Sequence, residues 1–495
     1  MVAHSKPTLA RRLPAPCRRP AVFGCIFLAL TGAAPAADAT SVVSNCNDAG
    51  IGSLRNAIAA APEGDVIDLS GLTASDPGCS ASAISLMTGE IVVAQNDLTI
   101  LGSGRNALAV TIAPPIRSRI LNHIGDGTTT TGTLRIQDLS ITSGYNGVAT
   151  TASVRGGCIY SRENVQLVSA AITNCTAAAY AHGAVGGGIH ARGALTLEHS
   201  IVSGNVVRSN AVANGGLALA GGAYVHGGFV ASYSTISNNA AAAEFGDAGG
   251  LSINAHSLPG NSTVLIKIDN STISGNTAYH SVGGIQFGAV HALITNSTIS
   301  GNTAILGSKG GLFVVEPIAV GIYNSTIAFN SAGVTDSGGR HYSAGATFMG
   351  RPYERPSLAG QFDSSSVILR NTLISNNVNS SYGSADDFSV VSALFVLPVD
   401  ISGANNLIFS EFGTADPPDT LRGICPLLAP LRDNGGATQT HALFSGSPAM
   451  DAGAGSGFSF DQRGQGYPRA VGPVDIGSYE MQGDVIFAAG MDGCP

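Results

Sequence analysis

The chain repeats a phrase. Ser271 to Ala278 reads Ser-Thr-Ile-Ser-Gly-Asn-Thr-Ala and returns unchanged at Ser297 to Ala304. Looser copies end in Asn205, Asn239, Asn330 and Asn377. A unit that recurs in this way predicts a solenoid, in which each copy buries its apolar residues against the next. A second mark accompanies the phrase. Gly156-Gly157, Gly187-Gly188, Gly221-Gly222, Gly249-Gly250, Gly283-Gly284 and Gly310-Gly311 each open an alternating apolar stretch. Alternation at period two predicts strands. The glycine pairs permit a backbone bend that a Cβ would obstruct.

Spacing assigns the two arms of each coil. From the second glycine to the aligned apolar residue of the phrase the gaps are 15, 14, 14, 23, 15 and 16, the longest holding an insertion around Ser257 to Thr263. From the phrase to the next glycine pair they are 16, 20, 14, 11 and 12. The nearly constant arm predicts stacked strands with tight corners, and the variable arm predicts loops along one edge. The expected fold is an all-β, right-handed parallel β-helix, its hand following the crossover rule. Stacked at strand spacing, the coils predict a rod on the order of 50 Å long.

Asn205, Asn239, Asn276, Asn302, Asn330 and Asn377 are expected to form a ladder of amides rather than a catalytic row. Cys175 holds the same place in its coil. The sequons at Asn261, Asn270, Asn296 and Asn324 mostly precede or lie within the phrase and are not read as glycan sites. Solenoid ends need covering. Ser53 to Ala61 predicts a short capping helix with Leu54, Ala57, Ile58 and Ala61 on one face.

The first 36 residues have the pattern of a secretory signal. A basic start, an apolar run from Ala21 to Ala33 and Ala34-Pro35-Ala36 follow one another. Its removal takes five basic residues away and moves the formal charge from -8 to -13. Such a chain has no electrostatic footprint for nucleic acid. No later segment is long and apolar enough to span a bilayer. Six cysteines remain, an even number in an exported chain. Neighbour pairing is expected: Cys46–Cys79, Cys158–Cys175 and Cys425–Cys494. The expected organisation is a signal at 1–36, a coil body at 37–410, a carboxy-terminal region at 411–482 and a tail at 483–495.

Two resemblances accompany these marks. The glycine-pair and I-x-x-N motifs resemble the repeats of polymorphic outer membrane proteins. Pro426 to Leu431, Asp433-Asn434-Gly435-Gly436, Thr440-His441-Ala442-Leu443, Gly446 to Gly453, Asp461-Gln462-Arg463-Gly464, Pro468-Arg469 and Asp475 to Glu480 resemble the choice-of-anchor Q domain. That resemblance implies a pectate-lyase-like β-helix on an exported, surface-associated protein, and it supplies no catalytic residues.

Chemistry is sought in the variable loops. The segment between Gly339 and Ile374 holds Arg340, His341, Arg351 and Arg355, and Asp386-Asp387 follows one coil later. β-Helix lyases acting on uronic-acid polymers use a basic residue beside carboxylates that hold Ca²⁺, and glycosidases of this fold use paired carboxylates. These six residues are the candidate catalytic set. The histidines 182 to 291 sit at different offsets from their glycine pairs and are not expected to form a row. The leading expectation is a non-catalytic exported protein whose loops engage cell-envelope components or glycans at the bacterial surface, with no cofactor. The alternative is a polysaccharide lyase or glycoside hydrolase acting on acidic glycans, with Ca²⁺ only in that case.

Overall fold

The computed structural model describes residues 40–483 apart from 80–81, 128–130, 149–152, 181, 210–216, 244, 247, 255–263, 289, 335, 338–339, 351–364, 392–397, 413–416 and 456. The expected signal peptide, the tail beyond 483, Asn261, Arg351, Arg355 and Cys494 lie outside the described residues.

The coil is a parallel β-helix. One turn gives its order. Ile159–Ser161 is followed by Asn164–Val168, Ala171–Thr173 and Thr176–Ala179, and Ile189–Ala191 then opens the next turn. The equivalent strands of successive turns pair in parallel and build four long sheets. Sheet I runs from Thr40–Val42 to Val399–Ala404 and has twelve strands. Sheet II, also twelve-stranded, contains the phrase. Sheet III, with eleven strands, follows the glycine pairs, and sheet IV, with nine, follows the ladder asparagines. A four-stranded sheet V, from Val154–Arg155 to Phe245–Gly246, lies on the variable arm. Among the described residues, antiparallel pairing occurs between Val378–Asn379 and Ser384–Ala385, in the hairpin Asp336–Ser337 with Arg340–His341, and as single bridges beyond residue 425, such as Leu428 with Leu443.

The amino end is lidded by the helix Leu54–Ala60. Ser53 caps it by accepting from the Asn56 amide. Leu54 and Ile58 are buried in the coil core, with Ala57 and Ala61 packed at its edge. Gln95 Nε2 closes the other end by donating to the Ile58 and Ala61 carbonyls. No helix among the described residues is long and apolar enough to cross a membrane.

Each position of the phrase has a separate task. In Ser271-Thr272-Ile273-Ser274-Gly275-Asn276, Ile273 enters the core. Ser271 belongs to an inner column with Ser200, Ser234, Ser297 and Ser325. Each hydroxyl accepts a backbone N–H from the preceding coil and donates to the carbonyl two residues before it. Gly275 turns the corner at φ +64. Asn276 then points inward.

The six ladder asparagines are fully buried. Asn205 Nδ2 donates to Asn239 Oδ1 at 2.9 Å and to the Ile172 carbonyl of the preceding coil at 3.0 Å. Asn239 Oδ1 also accepts the Asn205 amide. The pattern continues through Asn276, Asn302, Asn330 and Asn377. Each side chain thus meets its full donor capacity, and from Asn239 onward each oxygen fills both acceptor positions, while Asn205 Oδ1 accepts the Cys175 amide alone.

The glycines belong to the same device. A Cβ on Gly250 would lie 2.7 Å from the Gly284 carbonyl oxygen and 3.0 Å from Asn276 Cγ. Gly188, Gly222, Gly284, Gly311 and Gly345 stand equally close to Asn205, Asn239, Asn302, Asn330 and Asn377. Strand register places Cys158, not Gly157, in this column, because Ile159 pairs with Ile189. Counted from Cys158, the first gap is 14 rather than 15. In that coil Cys175 replaces the asparagine, Cys158 replaces the glycine, and the two form a disulfide. Cys46 and Cys79 are also bonded. Cys425 is disulfide-bonded too.

The last place in the glycine column is taken by Asp387. Its Oδ1 accepts the Asn377 amide and Asn377 Nδ2, and its Oδ2 accepts from Ser410 N and Oγ. A disulfide therefore begins the ladder and a carboxylate ends it.

Beyond residue 425 the chain leaves the coil and lies as a strap along the outer face of sheet II. Asn270 Nδ2 donates to the Asp461 and Gln462 carbonyls, and Asn371 exchanges two hydrogen bonds with Ala454. Thr298 Oγ1 meets Gln462 Oε1 at 2.6 Å, and Thr326 Oγ1 accepts the Ser478 amide. Inside the strap Asp461 chelates the Arg463 guanidinium, which is stacked between Tyr467 and Tyr479 at 4.1 and 3.9 Å.

Two predictions follow from the ladder's ends. Cys158→Gly or Cys175→Asn alone breaks the disulfide, whereas the double variant rebuilds one more glycine–asparagine step. The double variant is expected to melt above either single one in thermal scans. For Asp387, burial pushes the carboxyl up to about 6 against the four hydrogen bonds that favour its ionised form. An acid raised in this way holds its proton longer in the folded chain than in the unfolded one. Its stabilising contribution is full below its ordinary value of 3.8 and declines as pH rises through about 6. Comparing melts of the native chain with Asp387→Asn between pH ~4 and ~7 should show the native chain losing up to about 3 kcal/mol more.

Candidate functional site on the outer face of sheet III

Alternation along the short strands of sheet III sends Ile159 and Ser161 inward and Tyr160 outward. Register then stacks Tyr160, His190, Tyr224, Ser252, Gln286, Phe313 and Thr347 in one outer column. His190 is the one histidine of this column, so the histidines do not form a row of their own, and what the sequence reading passed over is the alignment of His190 with Tyr160 and Tyr224. The offsets misled because Cys158 stands where later coils have glycine.

Aromatic rings fill the upper part of the column. Tyr160 and Tyr224 meet His190 edge-on at 5.4 and 5.5 Å, and His226 stacks on His190 at 5.3 Å. His190 is only 3% exposed, and neither of its ring nitrogens has a hydrogen-bond partner among the described residues. The Arg119 guanidinium lies over the Tyr160 ring at 5.3 Å. Glu90 accepts from both Arg119 and Asn122, which fixes that arginine. Asn254 Nδ2 donates to the Tyr224 hydroxyl.

Positive charge predominates around the two imidazoles, with Arg119 ion-paired to Glu90. Burial, then His226 and the positive charges of Arg155, Arg192 and Arg119, holds His190 well below its ordinary value. His226 is lowered by burial and by Arg192 and Arg155. Arg155 and Arg192 thus act on both imidazoles and Arg119 on His190, and their charge disfavours protonation of either ring. Positive charge next to an unprotonated ring nitrogen is the chemistry such a set can offer to an anionic group.

The candidate residues named from sequence lie further along the same face or away from it. His341, from the short hairpin, meets Asp386 with Nε2 to Oδ1 at 3.1 Å, and its ring packs on Phe412 at 4.1 Å. The adjacent Tyr342 lies edge-on to Phe313, and Lys309 Nζ sits 4.2 Å over the Tyr342 ring and 4.6 Å over the Phe313 ring. Arg340 is half-buried. Asp387 is committed to the ladder, so Asp386 and Asp387 share no partner. Four strand steps separate His190 from Phe313, about 19 Å at sheet spacing.

No protein-family model matches the chain, and no curated protein matches it. Solved structures give distant likenesses. A PL6 alginate lyase complexed with a trisaccharide is 11% identical over 83% of this chain and 92% of its own, with a TM-score of 0.38. The A-module of the Azotobacter vinelandii mannuronan C-5 epimerase AlgE6 is 12% identical over 79% and 100%, at 0.36. The PL6 family alginate lyase AlyGC is 14% identical over 91% and 60%, at 0.35. The parallel β-helix rests on the strand pairing above, and these values bear on nothing else.

His190 is expected to stay neutral where free imidazole is half protonated. Its ring resonances in proton–carbon NMR should remain fixed as pH falls from about 7.5 to about 6. In Arg192→Gln they should begin to move at higher pH, since one repelling charge is gone.

Proposed function

We propose that this chain is an exported protein that takes an acidic polysaccharide on the outer face of sheet III and cleaves it by β-elimination. The observation that carries the reading is buried His190, with two unpartnered ring nitrogens, packed against Tyr160, Tyr224 and His226 and acted on by the charge of three arginines. Uronate polymers match it in charge. An arginine neutralises the carboxylate and so acidifies the carbon–hydrogen bond beside it. His190 takes that proton. The electron pair forms the carbon–carbon double bond, the glycosidic carbon–oxygen bond breaks, and the Tyr224 hydroxyl returns a proton to the leaving oxygen. Export is supported by Cys46–Cys79 and Cys158–Cys175, which suit an oxidising compartment.

A second reading retains the binding and drops the chemistry: a surface protein that holds acidic glycans. It is favoured by the low exposure of Tyr160, His190 and Tyr224, at 8%, 3% and 6%.

One experiment separates them. The mature chain is assayed on a panel of uronate polymers for unsaturated product and, in parallel, for binding. Lyase action predicts product that falls at least about a hundredfold in His190→Ala. The adhesive reading predicts binding that weakens in Arg192→Ala, with no product from any polymer. Absence of both binding and product ends both readings.

A further inference from the structure

The strap roofs a cavity of about 500 Å³ at the corner between sheets II and IV. Its floor is a row of hydroxyls, Ser237, Ser274 and Ser300, in register on adjacent strands. Leu428, Pro430 and Leu431 form the apolar side, and Gln439 stands at the rim.

Phe329 forms one wall and is out of place there. It holds a left-handed corner at φ +57, where other coils have Asn174, Gly204, Asn238, Gly275, Gly301 and Asn376. A bulky side chain in that conformation is strained. The coil does not require it, because glycine or asparagine serves at the equivalent corners. The ring is nevertheless 38% exposed and lies 4.9 Å from that of His441.

His441 Nδ1 bonds the Ala429 carbonyl at 2.6 Å, so that nitrogen carries the proton and Nε2 accepts from the Ser300 hydroxyl at 2.8 Å. Burial lowers this imidazole to about 4 and keeps it neutral. Among the described residues, no Asp, Glu, Lys or Arg lines the cavity. The Ser300–His441 pair has no backbone donors for an oxyanion beside it. Gly275 N and Gly301 N are spent on the Ser300 and Ala328 carbonyls of neighbouring coils.

We propose that this cavity binds an uncharged, hydroxylated ring, a neutral sugar unit, with its C–H face on Phe329 and its hydroxyls on the serine row. A charged ligand would find no counter-charge. A purely apolar one would desolvate the hydroxyls without pairing them. The volume falls within the range of about 300–1,000 Å³ usual for small-ligand sites. The cavity lies on the strap side of the coil and does not include any residue of the sheet III cluster.

The test uses the mature full chain, with methyl hexosides and neutral disaccharides as probes and glucuronate as the charged comparison. Binding is read by saturation-transfer NMR and calorimetry. At least one neutral probe should bind and glucuronate should not. Phe329→Asn, which fits the left-handed corner, should weaken binding about tenfold without lowering the melting temperature. Gln439→Ala changes an exposed side chain and should weaken binding several-fold even if the first variant folds poorly. His190→Ala should leave this binding unchanged, which separates it from the glycan reading above. Absence of binding by every neutral probe overturns the proposal. So does equal binding of glucuronate, or unchanged affinity in both cavity variants.

Discussion

The structure depends on one interaction, the buried amide ladder closed against glycine. A parallel coil must turn sharply while leaving no polar group unpaired inside, and an unmade buried hydrogen bond costs about 1–3 kcal/mol. Asparagine meets the demand because one side chain offers two donors and an oxygen with two acceptor positions. The cost is space. The amide fits only because the facing strand has no Cβ at that level, so the glycine and asparagine columns form a single composite residue spread over two arms of the coil. The exceptions obey the same rule. Where the asparagine is lost, a cysteine pair fills both places, and where the coil runs out, a carboxylate reaches across from the glycine column.

That device also leaves the outer face of sheet III free to vary. Its inner face and its glycine shoulder are fixed by the ladder, while its outer column is unconstrained from coil to coil. Tyr160, His190, Tyr224, Ser252, Gln286 and Phe313 vary widely at positions related by register. The arginines whose charge acts on His190 come from separate coils and meet only because stacking brings them together. Sheet II, by contrast, has Thr272, Thr298 and Thr326 committed to the strap, and its outer face is spent on internal bonding over those coils.

Much of the coil was legible in the sequence because its forces are periodic. The phrase states the core isoleucine, the left-handed corner and the inward asparagine in order. The glycine pair was legible as a bend, but its partnership with asparagine was not, since the two members lie seventeen or more residues apart, as in Gly188 and Asn205, and touch only across the fold. The candidate site was less legible. Asp386 and Asp387 read as a carboxylate pair, yet one meets His341 and the other terminates the ladder. The His190 row was hidden by a single-residue slip: a cysteine in a glycine place shifted the count of the first coil. With Cys158 taken as that glycine, Tyr160, His190 and Tyr224 fall at one offset, and the row could have been read.

The strap changes how the coil holds together. A solenoid whose turns touch only their neighbours frays from its ends, one turn at a time. Here Gln462 reaches Thr272 and Thr298, Ser478 reaches Thr326, and Ala454 reaches Asn371. Those turns are laced to one segment that bonds across several of them at once. The carboxy-terminal half is therefore a cooperative block, while the turns before Tyr233 keep the graded, end-first loosening of an ordinary repeat.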